Sequence, residues 1–330
     1  MRVAVAGFWH VHAADYAESI RSHDGTELAG VWDDDESRGR VAAEAYGTAF
    51  TGDLAALLSG EAVGEVDGIV VTTATSRHRD VMVAAAKAGK HIFTEKLLAP
   101  TVAEAEEIIA AADAAGVALV VSLPRLYAGY TTAVQDVLAA GTLGPVSYCR
   151  VRLSHDGAIT RPTEGPWLPE RFFEPETAIG GALTDLGCHP VYLTQLFLGA
   201  EPETVTATYR SVTGHQVEDQ AVVTVGYADG AIGVIEAGFV SVDDFTIEIF
   251  GTDGHLRCTE TSLIGAGPAF GAEPKTLPVP GDGPGPFAQW VEHAGAGTRA
   301  DDNVARALAL TRFVVAANAA AATGRTVSYA

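Results

Sequence analysis

Gly7 follows the apolar run Val3–Ala6 directly and opens the stretch Gly7-Phe8-Trp9-His10-Val11-His12. A glycine at a strand-to-helix turn lets backbone N–H groups face an anion, and a pyrophosphate at a helix N-terminus is the usual guest. The second and third glycines of a GxGxxG fingerprint are absent, so an ordinary tight turn accounts for the same residues equally well. Trp9 and His10 must either lean away from a bound nucleotide or stack on it. Asp33 stands 26 residues after Gly7, near the offset at which an acid meets a ribose 2′-hydroxyl. A carboxylate there accepts from the diol and repels a 2′-phosphate. Asp34, Asp35 and Glu36 add to that repulsion, so NAD is favoured and NADP disfavoured. Thr72-Thr73-Ala74-Thr75-Ser76 puts small residues at the end of a further strand, where ligands of open sheets bind; Thr75 or Ser76 would equally serve as a helix cap. Glu95-Lys96 closes the run His91–Thr94 in the same way. His10, His12 and Asp15 are metal-ligand types, but no fourth ligand or spacing accompanies them, and no metal is expected.

Such residues need parallel strands that end along one edge. Val3–Ala6, Glu27–Trp32, Asp67–Thr72, His91–Thr94 and Val117–Ser122 are continuous apolar runs, with helix patterns at 11–21, 37–46, 76–88 and 102–115 between them and a short strand at 49–50. Alternation of this kind means βαβ units and a sheet covered on both faces, the doubly wound dinucleotide type. Residues 1–122 are therefore read as a Rossmann domain. From residue 123 the rhythm changes. A helix near 131–140, a strand at Val146–Ser154, an irregular stretch over 156–177 and one helix over 181–198 lead into strands at 204–211, 220–227, 231–239, 245–250 and 255–259. Turns such as Ala228-Asp229-Gly230 join them. Residues 123–330 are read as an α+β domain with a large open antiparallel sheet, a loop without periodicity at 265–286, and an Ala-rich helix over 303–323.

Composition limits the function classes. The chain has 330 residues, 48% of them hydrophobic and 19% charged, which supports a packed core and two domains. The net charge of −21 repels phosphate backbones and anionic lipid, so neither nucleic-acid nor membrane-surface binding is expected. Cys149, Cys188 and Cys258 are an odd number without CxxC spacing, which argues against a disulfide scaffold and fits a reducing compartment. No apolar run reads as a membrane span and the N-terminus does not read as a signal peptide, so a cytoplasmic location is expected.

Two longer runs carry a resemblance. Ala88-Gly89-Lys90-His91-Ile92-Phe93-Thr94-Glu95-Lys96-Leu97-Leu98-Ala99-Pro100-Thr101 resembles the AGKHVxxEKPLAxT segment of the Gfo/Idh/MocA oxidoreductases. Gly180-Gly181-Ala182-Leu183-Thr184-Asp185-Leu186-Gly187-Cys188-His189 is similar to that family's GGGALxDLGxH signature, and His12-Ala13-Ala14-Asp15-Tyr16 to its HAxxY. The order and spacing of these pieces agree over nearly the whole chain. The resemblance implies NAD(P) binding and oxidation or reduction of a sugar, cyclitol or similar polyol. It implies Lys96, Asp185 and His189 as the catalytic set, with cofactor contacts at Gly7, Phe8, Trp9, Asp33, Thr73, Ala74, Thr75, His78, Glu95 and Lys96.

The chemistry suits those types. Hydride transfer from a secondary alcohol leaves a hydroxyl proton to be removed, and histidine is the usual base. Asp185 and His189, four apart on the expected single helix, would share a face. Asp185 would bind a substrate hydroxyl or steady the site, while burial and a cationic nicotinamide would lower the Lys96 pKa so that it polarises the oxygen. Substrate contacts are expected from Arg125, Tyr127, His155, Trp167 and Arg171, although loop packing accounts for each equally well. Leu97 stands where the family has proline. A non-proline cis bond costs about 2.5–4 kcal/mol, so either a trans peptide with a displaced Lys96 or a cis bond is expected. An uncovered sheet face points to a homodimer or homotetramer. Two rival readings share the fold: an NAD-dependent glycoside hydrolase, and a non-catalytic nucleotide-binding sensor.

Overall fold

A computed structural model describes residues 1–199, 201–242 and 244–329 of the chain. It divides into two compact units, residues 1–123 with 284–311 and residues 124–283 with 312–330.

The first unit is built on a six-stranded parallel sheet. Its strands are β1 (Arg2–Ala6), β2 (Glu27–Trp32), β3 (Phe50–Thr51), β4 (Gly68–Val71), β5 (His91–Thr94) and β6 (Leu119–Val121), in the order β3-β2-β1-β4-β5-β6. Helices α1 (Ala13–Ser22), α2 (Glu36–Tyr46), α3 (Leu54–Ser59), α4 (His78–Lys87) and α5 (Val102–Ala115) connect them. The central strands are buried on both faces: Val3, Val5, Val70, Phe93 and Val120 join Ala17 and Ile20 of α1 in one core cluster. Glycine in the left-handed region ends α2 and α5, at Gly47 and Gly116, where a Cβ would be strained. Neither Thr75 nor Ser76 caps α4. Residues Thr75–Arg77 form a 3₁₀ turn and Arg77 occupies the cap position.

The second unit begins with α6 (Gly129–Ala139) and β7 (Val146–Ser154). The short helices α7 (Pro175–Ala178) and α8 (Ala182–Asp185) precede α9 (Cys188–Leu198). Strands β8 (Pro202–Arg210), β9 (Gln220–Tyr227), β10 (Ile232–Gly238), β11 (Asp244–Gly251), β12 (His255–Cys258), β13 (Leu263–Ala266) and β14 (Lys275–Leu277) follow. After α10 (Pro286–Ala296) and α11 (Asp301–Thr323), β15 (Val327–Ser328) closes a nine-stranded sheet, ordered β14-β13-β12-β11-β7-β10-β9-β8-β15. Its pairs are antiparallel except β7 with β10, which run parallel. Residues alternate buried and exposed along β8 and β9, so one face is packed and the other open.

Four expectations are corrected. The Gly/Pro-rich loop at 265–286 contains β13 ends and β14, because short paired strands with little apolar alternation carry no readable period. Residues 284–311 belong with the first unit and not with the remainder of 123–330. Phe287 and Trp290 on α10 place their rings 5.6 and 5.9 Å from Phe93, and the Asn303 side chain accepts from Val121 N and donates to Val121 O, satisfying the edge of β6. The helix over 181–198 is two helices. Pro190 lacks an N–H and fits only a first turn, so the chain starts afresh at Cys188, with Gly187 N donating to Ala182 O across the break. Finally, α11 does reach the length and mean hydropathy, 1.3, of a membrane span. Its many alanines produce that score, and Ala307, Leu310, Phe313, Val314, Ala317 and Ala320 are buried inside the protein.

Candidate functional site

In the first unit the expected residues collect at the carboxyl ends of β1, β2, β4 and β5. Gly7 leaves β1 with φ +93°, and a Cβ there would stand 2.7 Å from Thr73 Cγ2 and 2.9 Å from Thr73 Cα. Both the dihedral and the approach of the β4 exit demand glycine. Phe8 packs its ring toward α2 while its N–H donates to Asp33 Oδ2 at 2.7 Å. Trp9 and His10 are buried, turned into the protein. Thr73 and Thr75 are buried with Ala74, and Thr73 Oγ1 has no hydrogen-bond partner. A buried hydroxyl left unpaired beside a glycine cradle, at the carboxyl edge of the sheet, fits a dinucleotide that would supply the missing partner.

Asp33 is fully buried and already accepts four hydrogen bonds: from Phe8 N, from Asp35 N at 2.8 Å, and from Arg38 Nε and a guanidinium NH2 at 3.0 and 2.6 Å. A carboxylate has about four acceptor positions. A ribose diol could reach it only where Arg38 yields one. Asp35 does what its place at the start of α2 suggests, accepting from Arg38 N as the helix cap.

Glu95 and Lys96 follow β5, both buried. Glu95 Oε1 accepts from His12 Nδ1 at 3.0 Å and from the Tyr16 hydroxyl at 2.5 Å; Oε2 accepts from Lys96 N at 3.0 Å. Burial alone would push this carboxyl up. The charges of His10, His12 and Lys96 and the His12 hydrogen bond outweigh it and hold the group far below the usual carboxylate range. Tyr16 also meets Ser122 Oγ at 2.7 Å, and burial beside Glu95 raises its pKa well above normal. The Lys96–Leu97 peptide is cis. His78, fully buried, donates from Nδ1 to Leu97 O at 2.9 Å, and burial pushes its pKa down to about 4. It is therefore neutral and braces the segment that carries Lys96.

In the second unit Asp185 ends α8 and His189 lies in the first turn of α9, so the single-helix argument for a shared face does not hold. His189 is buried, with Nδ1 2.8 Å from the Tyr192 hydroxyl, whose oxygen accepts from Arg125 N at 3.1 Å. A phenol both donates and accepts. When the ring donates from Nδ1, Nε2 holds the lone pair a base needs; when Tyr192 donates, Nε2 carries the proton an acid needs. Cys188 donates to Thr184 O and is packed. Arg125 is held by Tyr130 and Glu260 at 2.9 and 3.0 Å, its guanidinium 4.2 Å from the Phe245 ring centre. Arg125 and Tyr127 lie in the 3₁₀ turn Pro124–Tyr127, and the Tyr127 carbonyl accepts from Gly283 N. His155 and Trp167 come together: the His155 ring stacks on Phe239 at 5.0 Å and meets the exposed Trp167 ring at 4.7 Å. Arg171 lies in a separate turn, Glu170–Phe173.

The sequence reading gave Tyr16 only within the HAxxY resemblance, with no role, and did not single out Arg38 or Tyr192. Tyr16 stands four residues after His12 on α1 and Tyr192 three after His189 on α9, spacings at which helical neighbours touch. That signal was available for both; nothing local marks Arg38 as the partner of Asp33.

Comparison with known proteins agrees with this architecture. The family described as "Oxidoreductase family, NAD-binding Rossmann fold" matches residues 1–123, and "GFO/IDH/MocA C-terminal domain" matches 131–257. The chain is 32% identical to a 1,5-anhydro-D-fructose reductase of Ensifer adhaerens over 62% of its own length and 59% of that protein's. It is 30% identical to a D-apiose dehydrogenase of Paraburkholderia graminis over 75% of its length and 63% of that protein's. The matches thus span about three fifths of these two relatives. An oxidoreductase domain protein of Kribbella flavida superposes with a TM-score of 0.83 at 25% identity, covering 99% of this chain and 98% of that one.

Proposed function

This chain belongs to the Gfo/Idh/MocA oxidoreductases, and from that premise we propose that it moves a hydride between NAD and a hydroxyl-bearing carbon of a sugar- or cyclitol-like substrate. Two similar proteins named for anhydrofructose reduction and apiose oxidation support the substrate class. The observation that carries the reading is the first turn: Gly7, held against Thr73 where no Cβ fits, beside a buried threonine hydroxyl without a partner. NAD supplies the hydride acceptor or donor when bound. Gly7, Phe8, Trp9 and the Thr73–Thr75 segment would hold it, with Asp33 on the ribose once Arg38 gives way.

Lys96 polarises the reacting oxygen in this proposal, Asp185 binds a substrate hydroxyl, and His189 Nε2 takes or returns the proton. Tyr192 serves both tautomers of that ring, so the same residues suit oxidation and reduction. Arg125, Tyr127, His155, Trp167 and Arg171 are proposed substrate contacts, of which the His155–Trp167 pair offers a ring face to a polyol. The open face of the nine-stranded sheet carries exposed Val222 and Ile232 beside the Arg150–Glu236–Arg152 ion pairs, and we assign it to a homodimer or homotetramer. Light scattering at graded concentrations tests that assignment, and a monomer throughout refutes it. A cytoplasmic location is proposed with it.

The deciding experiment incubates the protein with NAD and a panel of polyols, sugars and aryl glycosides. NADH absorbance supports the proposal. Aryl release without net NADH makes the chain a glycoside hydrolase, and tight NAD binding with neither outcome makes it a sensor.

A further inference from the structure

His10 and His12 meet Glu95, which lies 85 and 83 residues further along the chain, and the ligand atoms of the three all fall within 4.8 Å of one another. We propose that these three side chains bind a divalent transition-metal ion of the zinc class, with further coordination positions open to water. The proposal does not depend on hydride transfer.

The donor set is right for such an ion. Two imidazoles and one carboxylate form a recurrent three-ligand set for Zn²⁺ with an open position, and imidazole suits later transition metals better than Mg²⁺ or Ca²⁺. Ligands about 2.0–2.1 Å from a tetrahedral ion stand roughly 3.4 Å from each other. His12 Nδ1 and Glu95 Oε1 are 3.0 Å apart, so an ion would replace the proton between them. His10 would close the remaining gap, less than about 1.5 Å on the longest edge, by releasing the hydrogen bond that its Nδ1 accepts from His12 N at 3.2 Å.

The surroundings are those of a supported ligand. Glu95 is oriented by the Tyr16 hydroxyl at one oxygen and by Lys96 N at the other, which are the outer contacts that steady a metal-bound carboxylate. His10 and Glu95 are buried while His12 is half-buried, which leaves a route for the ion. Asp15 takes no part, which is why His-x-His followed by a nearby acid does not reveal the site in the sequence.

The test uses untagged full-length protein, freed of metal by chelator and titrated near neutral pH with Zn²⁺ by calorimetry and with Co²⁺ by visible ligand-field absorption. One equivalent of either ion should bind the wild type, Co²⁺ giving intense low-symmetry bands. His12→Ala, at a half-buried position, should weaken binding by more than about tenfold, since even outer-shell partners cost that much. His10→Gln should do the same, and Tyr16→Phe should weaken it less. Circular dichroism of each variant separates loss of the site from loss of the fold. Absence of stoichiometric binding to the wild type overturns the proposal, as does binding unchanged in folded His12→Ala.

Discussion

Glu95 is a buried glutamate of the first unit and Glu218 a half-buried one of the second, and the protein treats them in opposite ways. In the nucleotide-type unit Glu95 is surrounded by His10, His12 and Lys96, and its pKa is held down. In the sheet unit Glu218 accepts from Gly181 N at 3.0 Å and Leu183 N at 2.9 Å, yet burial and neighbouring Asp219 push it up. The same contrast runs through the rest. The first unit keeps charge inside at its strand ends, with Asp33 clasped by Arg38. The second buries neutral groups, such as Cys149, which burial pushes up to about 12, and carries the Arg150–Glu236 and Arg150–Glu248 ion pairs on the open sheet face. A unit built to hold a charged cofactor needs fixed charges at its mouth. A unit built on a broad sheet needs an apolar side and keeps charge inside only where hydrogen bonds hold it, as Val212 N and Thr213 N hold the buried Asp219.

The sharpest division of labour should appear with His189→Ala. Turnover should fall about 10²- to 10⁴-fold, the usual worth of a general acid–base, while NAD affinity stays as in the wild type. Steady-state kinetics and NAD fluorescence titration read the two quantities, and equal turnover removes His189 from the mechanism.

Trp290→Ala attacks the other side. Trp290 is fully buried against Phe93, and its removal should cost about 3–5 kcal/mol in urea unfolding and weaken NAD binding. A loss below about 1 kcal/mol would mean that residues 284–311 do not belong to the first unit's core.

Acid should separate the units next. His78 has a folded pKa of about 4 against an ordinary value of 6.5, so the unfolded chain binds the extra proton first. Stability is therefore present above pH 6.5 and lost as pH falls from about 6.5 to about 4, by an amount on the order of 3 kcal/mol. Glu95, also held down, adds a loss in the same direction at lower pH. Glu218 has the opposite sign: its raised pKa favours folding in acid and the benefit fades as pH rises. Trp9, Trp32 and Trp290 lie in the first unit and Trp167 alone in the second, so tryptophan fluorescence follows mainly the acid-sensitive unit. His78→Asn should flatten the profile over that window. A profile unchanged by the substitution would break the comparison.

The smallest effect is expected for Tyr192→Phe. Losing one hydrogen bond to His189 should lower kcat about tenfold and shift its pH profile, with KM little changed, because the ring keeps its place but loses its proton partner. An unmoved profile would reduce Tyr192 to packing.

Much of the first unit was legible because its strands are continuous apolar runs. Glu27–Trp32 and His91–Thr94 have the predicted bounds, as does helix Val102–Ala115, which Thr101 caps and Gly116 ends. The one-helix reading of 181–198 failed because hydrophobicity continues through a break that Pro190 imposes on the backbone. Helix Pro286–Ala296 was missed because its apolar residues serve a core laid down some 200 residues earlier.

Local chemistry in the chain determined which atoms can act: a glycine with no Cβ, carboxylates at strand ends, an imidazole after a glycine break, a lysine after a strand. Only tertiary structure decided what each of them faces. Arg38 at the start of one helix occupies Asp33 at the end of a strand, and His12 and Tyr16 converge on Glu95, 83 and 79 residues away, since contacts among side chains from different elements are set by how those elements pack; the Tyr192–His189 pair, within one helix, is the contact that spacing does reach.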